Sequence, residues 1–212
     1  MPAPRPRLVV ATRSAHKLAE LRSLLKLEHA ELVSLDDLGI PGEPEETGET
    51  FETNARIKAR FAAAATGLPS LADDSGIEVD ALDGGPGVRT RRYAGPSATD
   101  ADNNAKLLRE LAGLAPAQRG ARYVCALALA LPAEAGARGA ARLIVRRGTV
   151  RGRIVEDPRG TGGFGYDPLF EPLVQTSHGR TFGEWSDAEK NRISHRARAA
   201  RRMSRVLASL GV

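Results

Sequence analysis

Hydrophobic positions along the chain recur with two different periods, which predicts a mixed α/β fold. Short, continuous apolar runs predict buried strands, and they fall at residues 7–12, 31–35 and 122–131. Apolar residues spaced three or four positions apart predict amphipathic helices. One such helix follows Ser14, a second covers residues 51–65, and a third begins at Thr99. Both kinds of element therefore run through the chain, which is typical of α/β proteins.

Turn-forming residues divide the remaining pattern. The sequence Asp-Asp-Ser-Gly at 73–76 predicts a break between two strands, and Gly148 predicts a hairpin turn between two others. The predicted strands are residues 70–73 and 76–82 around the first break, and 142–147 and 149–155 around the second. A capping-box pattern at 186–189 predicts the start of one last helix.

Composition narrows the class of protein. The chain has 212 residues, of which 42% are hydrophobic and 27% charged, as in globular proteins. The longest uncharged run is residues 61–72, shorter than the ~20 apolar residues of a membrane-spanning helix. The single cysteine, Cys125, cannot form an internal disulfide, which favours a reducing, cytoplasmic setting. We therefore expect a cytoplasmic protein with no membrane partner.

Charge is concentrated at one end of the chain. Residues 1–189 contain 24 basic and 26 acidic residues, whereas residues 190–212 contain seven basic residues and no acidic one. Such a segment can bind nucleic acid, hold a small phosphorylated ligand, or form a solvated helix face. We favour the solvated face for Arg198, Arg201, Arg202 and Arg205.

The junction between the first strand and the first helix carries hydroxyl and basic side chains. Thr12 and Ser14 lie where the strand ends, and Lys17 lies one turn into the helix. Backbone N–H groups at a helix N-terminus attract phosphate, and a lysine adds a full charge. The pattern fits a phosphate cradle, although an ordinary capped helix with Lys17 in solvent is the commoner explanation.

Two acidic groups are candidates for chemistry. Asp73 and Asp74 are adjacent, so on a strand their side chains point to opposite faces. A carboxylate here can bind Mg²⁺ or take a proton from an attacking water, and a simple turn is the alternative. Glu45 and Glu46 precede the second helix, where they supply a further metal ligand near Asp74 or interact with the helix dipole.

The glycine-rich loop at 160–168 and the basic start of the last helix suit a purine base. Phe164 and Tyr166 offer stacking surfaces and Asp167 an acceptor, unless the loop is a packed turn with Phe164 in the core. Arginine and histidine donors downstream can read purine oxygens. On one regular helix Lys190 and His195 lie about 140° apart, so they share a face only if that helix is irregular.

Three long motifs resemble the inosine triphosphate pyrophosphatase family. They are LADDSGIEVDALDGGPGV, GTGGFGYDPLF and EKNRISHRARA, and the resemblance runs from Leu8 to about Met203. It implies a single domain over residues 1–212, with a long mixed central sheet whose flanking helices form two lobes around an active-site cleft. It also implies a homodimer that hydrolyses dITP, ITP and XTP to the monophosphate and pyrophosphate with Mg²⁺.

Matched residue by residue, the resemblance gives each motif a role. Asp74 is the general base and a metal-linked carboxylate, and Glu45 is a further Mg²⁺ ligand, with Glu46 as the alternative register. Phosphate contacts are implied for Thr12, Ser14, Lys17, Lys58 and Ser75. Base contacts are implied for Phe164, Gly165, Tyr166, Asp167, Lys190, His195 and Arg196.

One position departs from the family pattern. The family usually has Thr-Gly-Asn where this chain has Thr12-Arg13-Ser14, so we expect Arg13 to add charge beside the phosphates. The expected partners are purine nucleoside triphosphates, without a specific nucleic-acid partner. The alternatives are a nucleotide- or nucleic-acid-binding protein without turnover that uses the basic C-terminal helix, and a related Maf-like nucleotide pyrophosphatase.

Overall fold

A computed structural model describes residues 5–25, 27, 29–132 and 142–211. The strands are β1 (Arg7–Val10), β2 (Glu31–Ser34), β3 (Ser70–Val79), β4 (Gly120–Leu131), β5 (Arg142–Ile154) and β6 (Phe170–Pro172). The α-helices are α1 (Ala15–Leu25), α2 (Phe51–Thr66), α3 (Asp100–Glu110), α4 (Asp187–Ile193) and α5 (His195–Ser209). Within these ranges, no helix has the length and apolar character needed to cross a bilayer.

The strands form one sheet in the order β2-β1-β3-β4-β5-β6. β1 runs parallel to both β2 and β3, whereas β5 and β6 are antiparallel. The sheet is therefore mixed, and with its flanking helices it confirms the predicted α/β class. The backbone N–H of Ala11 donates to the carbonyl of Leu71 at 2.7 Å, so the residue that follows β1 lies beside the start of β3.

The chain divides into two compact units, each with its own apolar core. The first comprises Met1–Asp74, Cys125–Arg147 and Arg198–Val212. Its core includes Leu8, Leu21, Leu71, Leu127 and Met203. The second unit comprises Ser75–Val124 and Gly148–Ala197, and its core includes Ile77, Tyr123, Phe170, Phe182 and Trp185. The single domain and the cleft between lobes stay predictions.

The predicted break in the third strand is wrong. Asp73, Asp74 and Ser75 lie inside β3, a continuous ten-residue strand. Turn propensity is a local preference, and here burial and ion pairs formed by the aspartates outweigh it. Gly76 fits because a Cβ there would lie 2.7 Å from the Thr90 hydroxyl oxygen and 2.8 Å from the Gly87 carbonyl oxygen.

The predicted hairpin at Gly148 is also wrong. β5 runs through this residue without interruption, and Gly148 lacks the positive φ of a tight hairpin turn. Pairing explains the continuity, since β5 lies between β4 and β6 in the sheet. β6 has only three residues and was not predicted.

The last helix is two helices rather than one. α4 ends at Ile193, and Ser194 has an extended backbone with ψ 158°. The Ser194 hydroxyl then accepts a hydrogen bond from the backbone N–H of Ala197 at 3.1 Å, as an N-cap does. His195 therefore begins a new helix. Lys190 and His195 do not lie on one regular helix, so the angle of about 140° between them does not apply.

Candidate functional site

The β1–α1 junction is built as a capped helix start. The backbone N–H of Ser14 donates to the Thr12 hydroxyl at 3.3 Å, and that of Lys17 donates to the Ser14 hydroxyl at 3.4 Å. The Lys17 ammonium does not point into solvent, because it lies 2.7 Å from a carboxylate oxygen of Asp73. Hydroxyls, helix N-terminus and ammonium are thus gathered at one place, and their contact with phosphate stays a prediction.

The Arg13 side chain contacts the loop after β2, and the charge it was expected to add beside the phosphates stays a prediction. Its guanidinium forms an ion pair with Asp36 and donates to the carbonyls of Ile40 at 2.9 Å and Gly42 at 2.7 Å. A second carboxylate, Glu43, lies 3.4 Å away. Arg13 therefore neutralises and braces the acidic loop after β2.

The two adjacent aspartates of β3 have different partners, as side chains on opposite faces should. Asp73 is buried, pairs with Lys17, and accepts a contact from the Cys125 thiol at 3.1 Å. Asp74 pairs instead with Lys58, at 2.8 Å. We call Lys17, Glu46, Lys58, Asp73 and Asp74 the lysine–carboxylate cluster.

Lys58 lies between two carboxylates. Its ammonium is 2.8 Å from Asp74 and 3.1 Å from Glu46. Burial lowers the pKa of Lys58, but the charges of Asp74 and Glu46 outweigh burial, and its pKa is raised overall. Lys58 is therefore a permanent cation beside Asp74.

Asp74 has the properties of a base. Burial raises the pKa of its carboxyl group, and although Lys58 and Lys17 oppose that effect, the pKa stays above its ordinary value. Its Oδ1 accepts from Lys58, whereas its buried Oδ2 has no hydrogen-bond partner among the described residues. An unengaged carboxylate oxygen of raised pKa can take a proton from water or bind a cation.

The chemistry of these donors fits Mg²⁺, which binds through one or two carboxylates and completes its shell with water and phosphate oxygens. Asp74 offers its unpaired Oδ2, and Glu46 lies on the other side of Lys58. Glu45, the predicted ligand, is exposed. In the described part of the chain no three acidic, histidine or cysteine side chains form a metal-binding cluster.

A second set of candidate residues lies in the other unit. Arg196 is buried and donates to the Ser75 hydroxyl at 2.9 Å. Its guanidinium carbon is 5.8 Å from the centre of the Phe164 ring, and the Lys190 ammonium is 4.6 Å from the same ring. We call Ser75, Phe164, Asp167, Lys190 and Arg196 the arginine–aromatic cluster. It places two cations against a half-buried aromatic ring.

Asp167 holds the glycine-rich loop together. One of its carboxylate oxygens accepts from the backbone N–H of Phe164 at 2.9 Å and from the Lys190 ammonium at 2.7 Å. Gly163 permits this approach, since it has φ +72° and a Cβ would lie 2.1 Å from that oxygen. These contacts make Asp167 a positioning residue for the loop, and a direct contact with a base stays a prediction.

Tyr166 and Gly165 have contacts within their own unit, and the base contacts implied for them stay predictions. Tyr166 is buried in the core of its unit and donates to the carbonyl of Thr90 at 2.9 Å, so it anchors the loop. The backbone N–H of Gly165 donates to Asp100 at 2.7 Å, and its carbonyl accepts from Asn104. The core residue of this loop is therefore Tyr166 rather than Phe164, which is left half-buried.

His195 is buried at the first position of α5, where its ring stacks on Tyr123 with 4.6 Å between centroids and 8° between planes. Sequence reasoning did not find Tyr123, because nothing local distinguishes it from other residues of a buried strand. It also missed Asp100 and Asn104, which α3 brings to Gly165.

Comparison with known proteins agrees with the motifs. The Ham1 family model matches residues 8–206. A Geobacter sulfurreducens protein named dITP/XTP pyrophosphatase is 49% identical, with 91% of this chain and 92% of that protein covered. A Nocardia farcinica protein of the same name is 47% identical, with 96% of each covered.

Solved structures agree as well. The HAM1 protein from Coxiella burnetii superposes with a TM-score of 0.83 at 41% identity, covering 96% of this chain and 99% of that one. A Mycobacterium abscessus structure titled nucleoside-triphosphatase / dITP/XTP pyrophosphatase has a TM-score of 0.71 at 41% identity, covering 96% and 98%. The motif resemblance is thus confirmed by sequence and fold over nearly the whole length, and the chain belongs to the Ham1 family.

Proposed function

We propose that this protein hydrolyses the non-standard purine nucleotides dITP, ITP and XTP to the monophosphate and pyrophosphate, with Mg²⁺. One observation carries the proposal: Asp74 presents a buried, unpaired carboxylate oxygen of raised pKa beside two lysines. Relatives at 47–49% identity bear the name dITP/XTP pyrophosphatase, which supports this choice of substrate.

In the proposed reaction Asp74 removes a proton from a water molecule. The water oxygen forms a bond to the α-phosphorus, and the bond from that phosphorus to the bridging oxygen breaks, so that pyrophosphate leaves with its electron pair. Lys17 and Lys58 bind the triphosphate and neutralise its negative charge. Such charge stabilisation is usually the largest contribution to catalysis of phosphoryl transfer. Mg²⁺, held by Asp74 and by Glu45 or Glu46, would add charge neutralisation.

The arginine–aromatic cluster has side chains that suit a purine base. Phe164 offers a ring to a purine, while Lys190 and Arg196 supply donors for the 6-oxo oxygen that dITP, ITP and XTP share and ATP lacks. His195 is the remaining proposed donor, held against Tyr123. A homodimer and a cytoplasmic location stay predictions.

The test is a panel of nucleoside triphosphates assayed with Mg²⁺ for pyrophosphate release. We expect dITP, ITP and XTP to be cleaved much faster than ATP, with IMP and pyrophosphate as the products from ITP. If the first products from ITP are IDP and orthophosphate, attack at the α-phosphorus is excluded.

One observation favours a second function, the binding of nucleic acid by α5. A cavity of about 410 Å³ is lined by Arg146, Arg202, Arg205, Val206 and Ser209. Among the described residues no carboxylate forms an ion pair with these three arginines. A salt titration of binding to duplex and single-stranded DNA tests it, since affinity from phosphate contacts falls steeply with salt.

A further inference from the structure

Tyr123 lies at a junction of aromatic contacts in the core of its unit. Its ring is parallel to that of His195, and it meets the ring of Phe170 edge-on at 4.7 Å. The Phe182 ring is 6.2 Å away. Stacked and edge-on arrangements of this kind are favourable beyond simple burial. The orientation of the His195 ring is therefore set by the Tyr123 ring.

The hydroxyl of Tyr123 has a separate role. Burial, the charge of Asp167 and a hydrogen bond to Asp167 raise the pKa of Tyr123 well above its ordinary value. The phenol therefore keeps its proton, and its O–H group donates a hydrogen bond to the Asp167 carboxylate. Ring and hydroxyl thus contact two different parts of the proposed purine site.

Asp167 connects the Tyr123 hydroxyl to the glycine-rich loop. The same carboxylate accepts from the backbone N–H of Phe164 and from the buried Lys190 ammonium. A charged acceptor with several donors is held in one place more firmly than one with a single donor. Loss of the Tyr123 hydroxyl would leave Asp167 with one donor fewer, so that Asp167, Phe164 and Lys190 are less firmly placed.

We propose that Tyr123 is a positioning residue that sets purine selectivity, because it fixes His195 through its ring and the Phe164 loop through its hydroxyl. The inference rests on the proposed function, since it concerns how the same site separates 6-oxo from 6-amino purines. Tyr123 itself needs no contact with substrate.

Two variants separate the two contacts. Tyr123→Phe removes only the hydroxyl, whereas Tyr123→Leu removes the stacked ring as well. Tyr93→Phe is the matched control, because it removes a hydroxyl that hydrogen-bonds Glu110 and has no contact with Asp167 or His195 among those described. The readouts are kcat and KM for ITP and ATP, the melting temperature, and the Kd values of IMP and AMP.

We expect Tyr123→Phe to lower the ITP-to-ATP ratio of kcat/KM about three- to tenfold, mainly through a higher KM for ITP. Tyr123→Leu should lower it further, and Tyr93→Phe should leave it unchanged. The ratio does not depend on the fraction of enzyme that is folded, so a purely structural role would lower the melting temperature without moving it. An unchanged ratio in both Tyr123 variants overturns the inference.

The Kd values of IMP and AMP test the role of Tyr123 separately from the proposed function, because they do not depend on turnover. If the parent protein releases no pyrophosphate from ITP, the proposed function fails, and the IMP-to-AMP ratio of Kd values still reports on purine reading. A preference for IMP that shrinks in the Tyr123 variants supports the inference. A ratio that is the same in parent and variants refutes it.

Discussion

The ammonium group of Lys58 lies 2.8 Å from Oδ1 of Asp74, while Oδ2 of the same carboxylate has no hydrogen-bond partner among the described residues. One oxygen of Asp74 is thus held by a cation and the other is left for chemistry. Burial raises the pKa of the carboxyl group and Lys58 limits that rise. This pairing would keep Asp74, the proposed general base, both ionised and oriented.

Asp74→Asn should abolish turnover while largely preserving nucleotide binding. Asparagine has the same shape but cannot accept the proton of water, and loss of general-base assistance typically costs ~10²–10⁴-fold in rate. Steady-state kcat for ITP and the Kd for ITP measured with the variant check this. Activity equal to that of the parent would remove Asp74 from the mechanism.

Asp73→Asn is the matched control and should be milder in kcat. Asp73 forms an ion pair with Lys17 at 2.7 Å and so acts through that lysine. The variant keeps a polar group but loses the charge, so we expect a higher KM for ITP, because Lys17 is less firmly placed. If Asp73→Asn lowers kcat as much as Asp74→Asn does, the assignment of the proton transfer to Asp74 alone is wrong.

Lys58→Met should move the acid limb of the pH profile of kcat/KM to higher pH. Burial raises the pKa of Asp74, whereas the positive charge of Lys58 lowers it. Removal of Lys58 therefore raises the pKa of Asp74 further. The base is active only when ionised, so activity is then lost at a higher pH as pH falls. The measurement is a pH series with ITP, and a limb at an unchanged pH would argue against Asp74 as the titrating base.

Glu45→Gln and Glu46→Gln distinguish which of the two glutamates is the proposed Mg²⁺ ligand. Glu46 lies 3.1 Å from Lys58, whereas Glu45 is exposed, so the geometry places Glu46 nearer to Asp74. The variant that lacks the true ligand should need about tenfold more Mg²⁺ for half-maximal rate. Mg²⁺ titrations of both variants give the answer, and an unchanged requirement in both would exclude the pair as ligands.

Arg196→Lys should lower the ratio of kcat/KM for ITP to kcat/KM for ATP. It keeps the positive charge but loses the planar fork of donors, and a lost charge-assisted hydrogen bond is worth ~10–100-fold in kcat/KM for ITP. ATP, a poor substrate, should change little. Because Arg196 also donates to Ser75, an equal loss for both nucleotides would show that it serves the phosphates instead.

The combined substitution of Arg146, Arg202 and Arg205 by glutamine should leave kcat/KM for ITP unchanged. These side chains line the cavity on β5 and α5 and contact neither proposed cluster among the described residues. The nucleic-acid alternative predicts instead a salt-sensitive affinity for DNA that the triple variant loses. Such binding, with no turnover of ITP by the parent, would favour that alternative.

The sequence by itself determined the elements whose hydrophobic pattern is strong. β1, α1, β2, α2 and β4 lie close to where the periodicity predicts them, because burial of one face rewards that pattern wherever the element packs. It also determined the residue types of the site, since lysines, carboxylates and a glycine-rich loop were recognisable as motifs.

Only the tertiary structure decided how those residues are used. Asp73 and Asp74 lie within β3 instead of at a turn because Lys17 and Lys58, distant in sequence, neutralise them. The orientation of Arg13 towards Asp36 and the burial of Tyr166 were likewise set by distant partners. Local sequence records the preference of each segment, whereas long-range ion pairs and packing, which no local pattern contains, select among the conformations it allows.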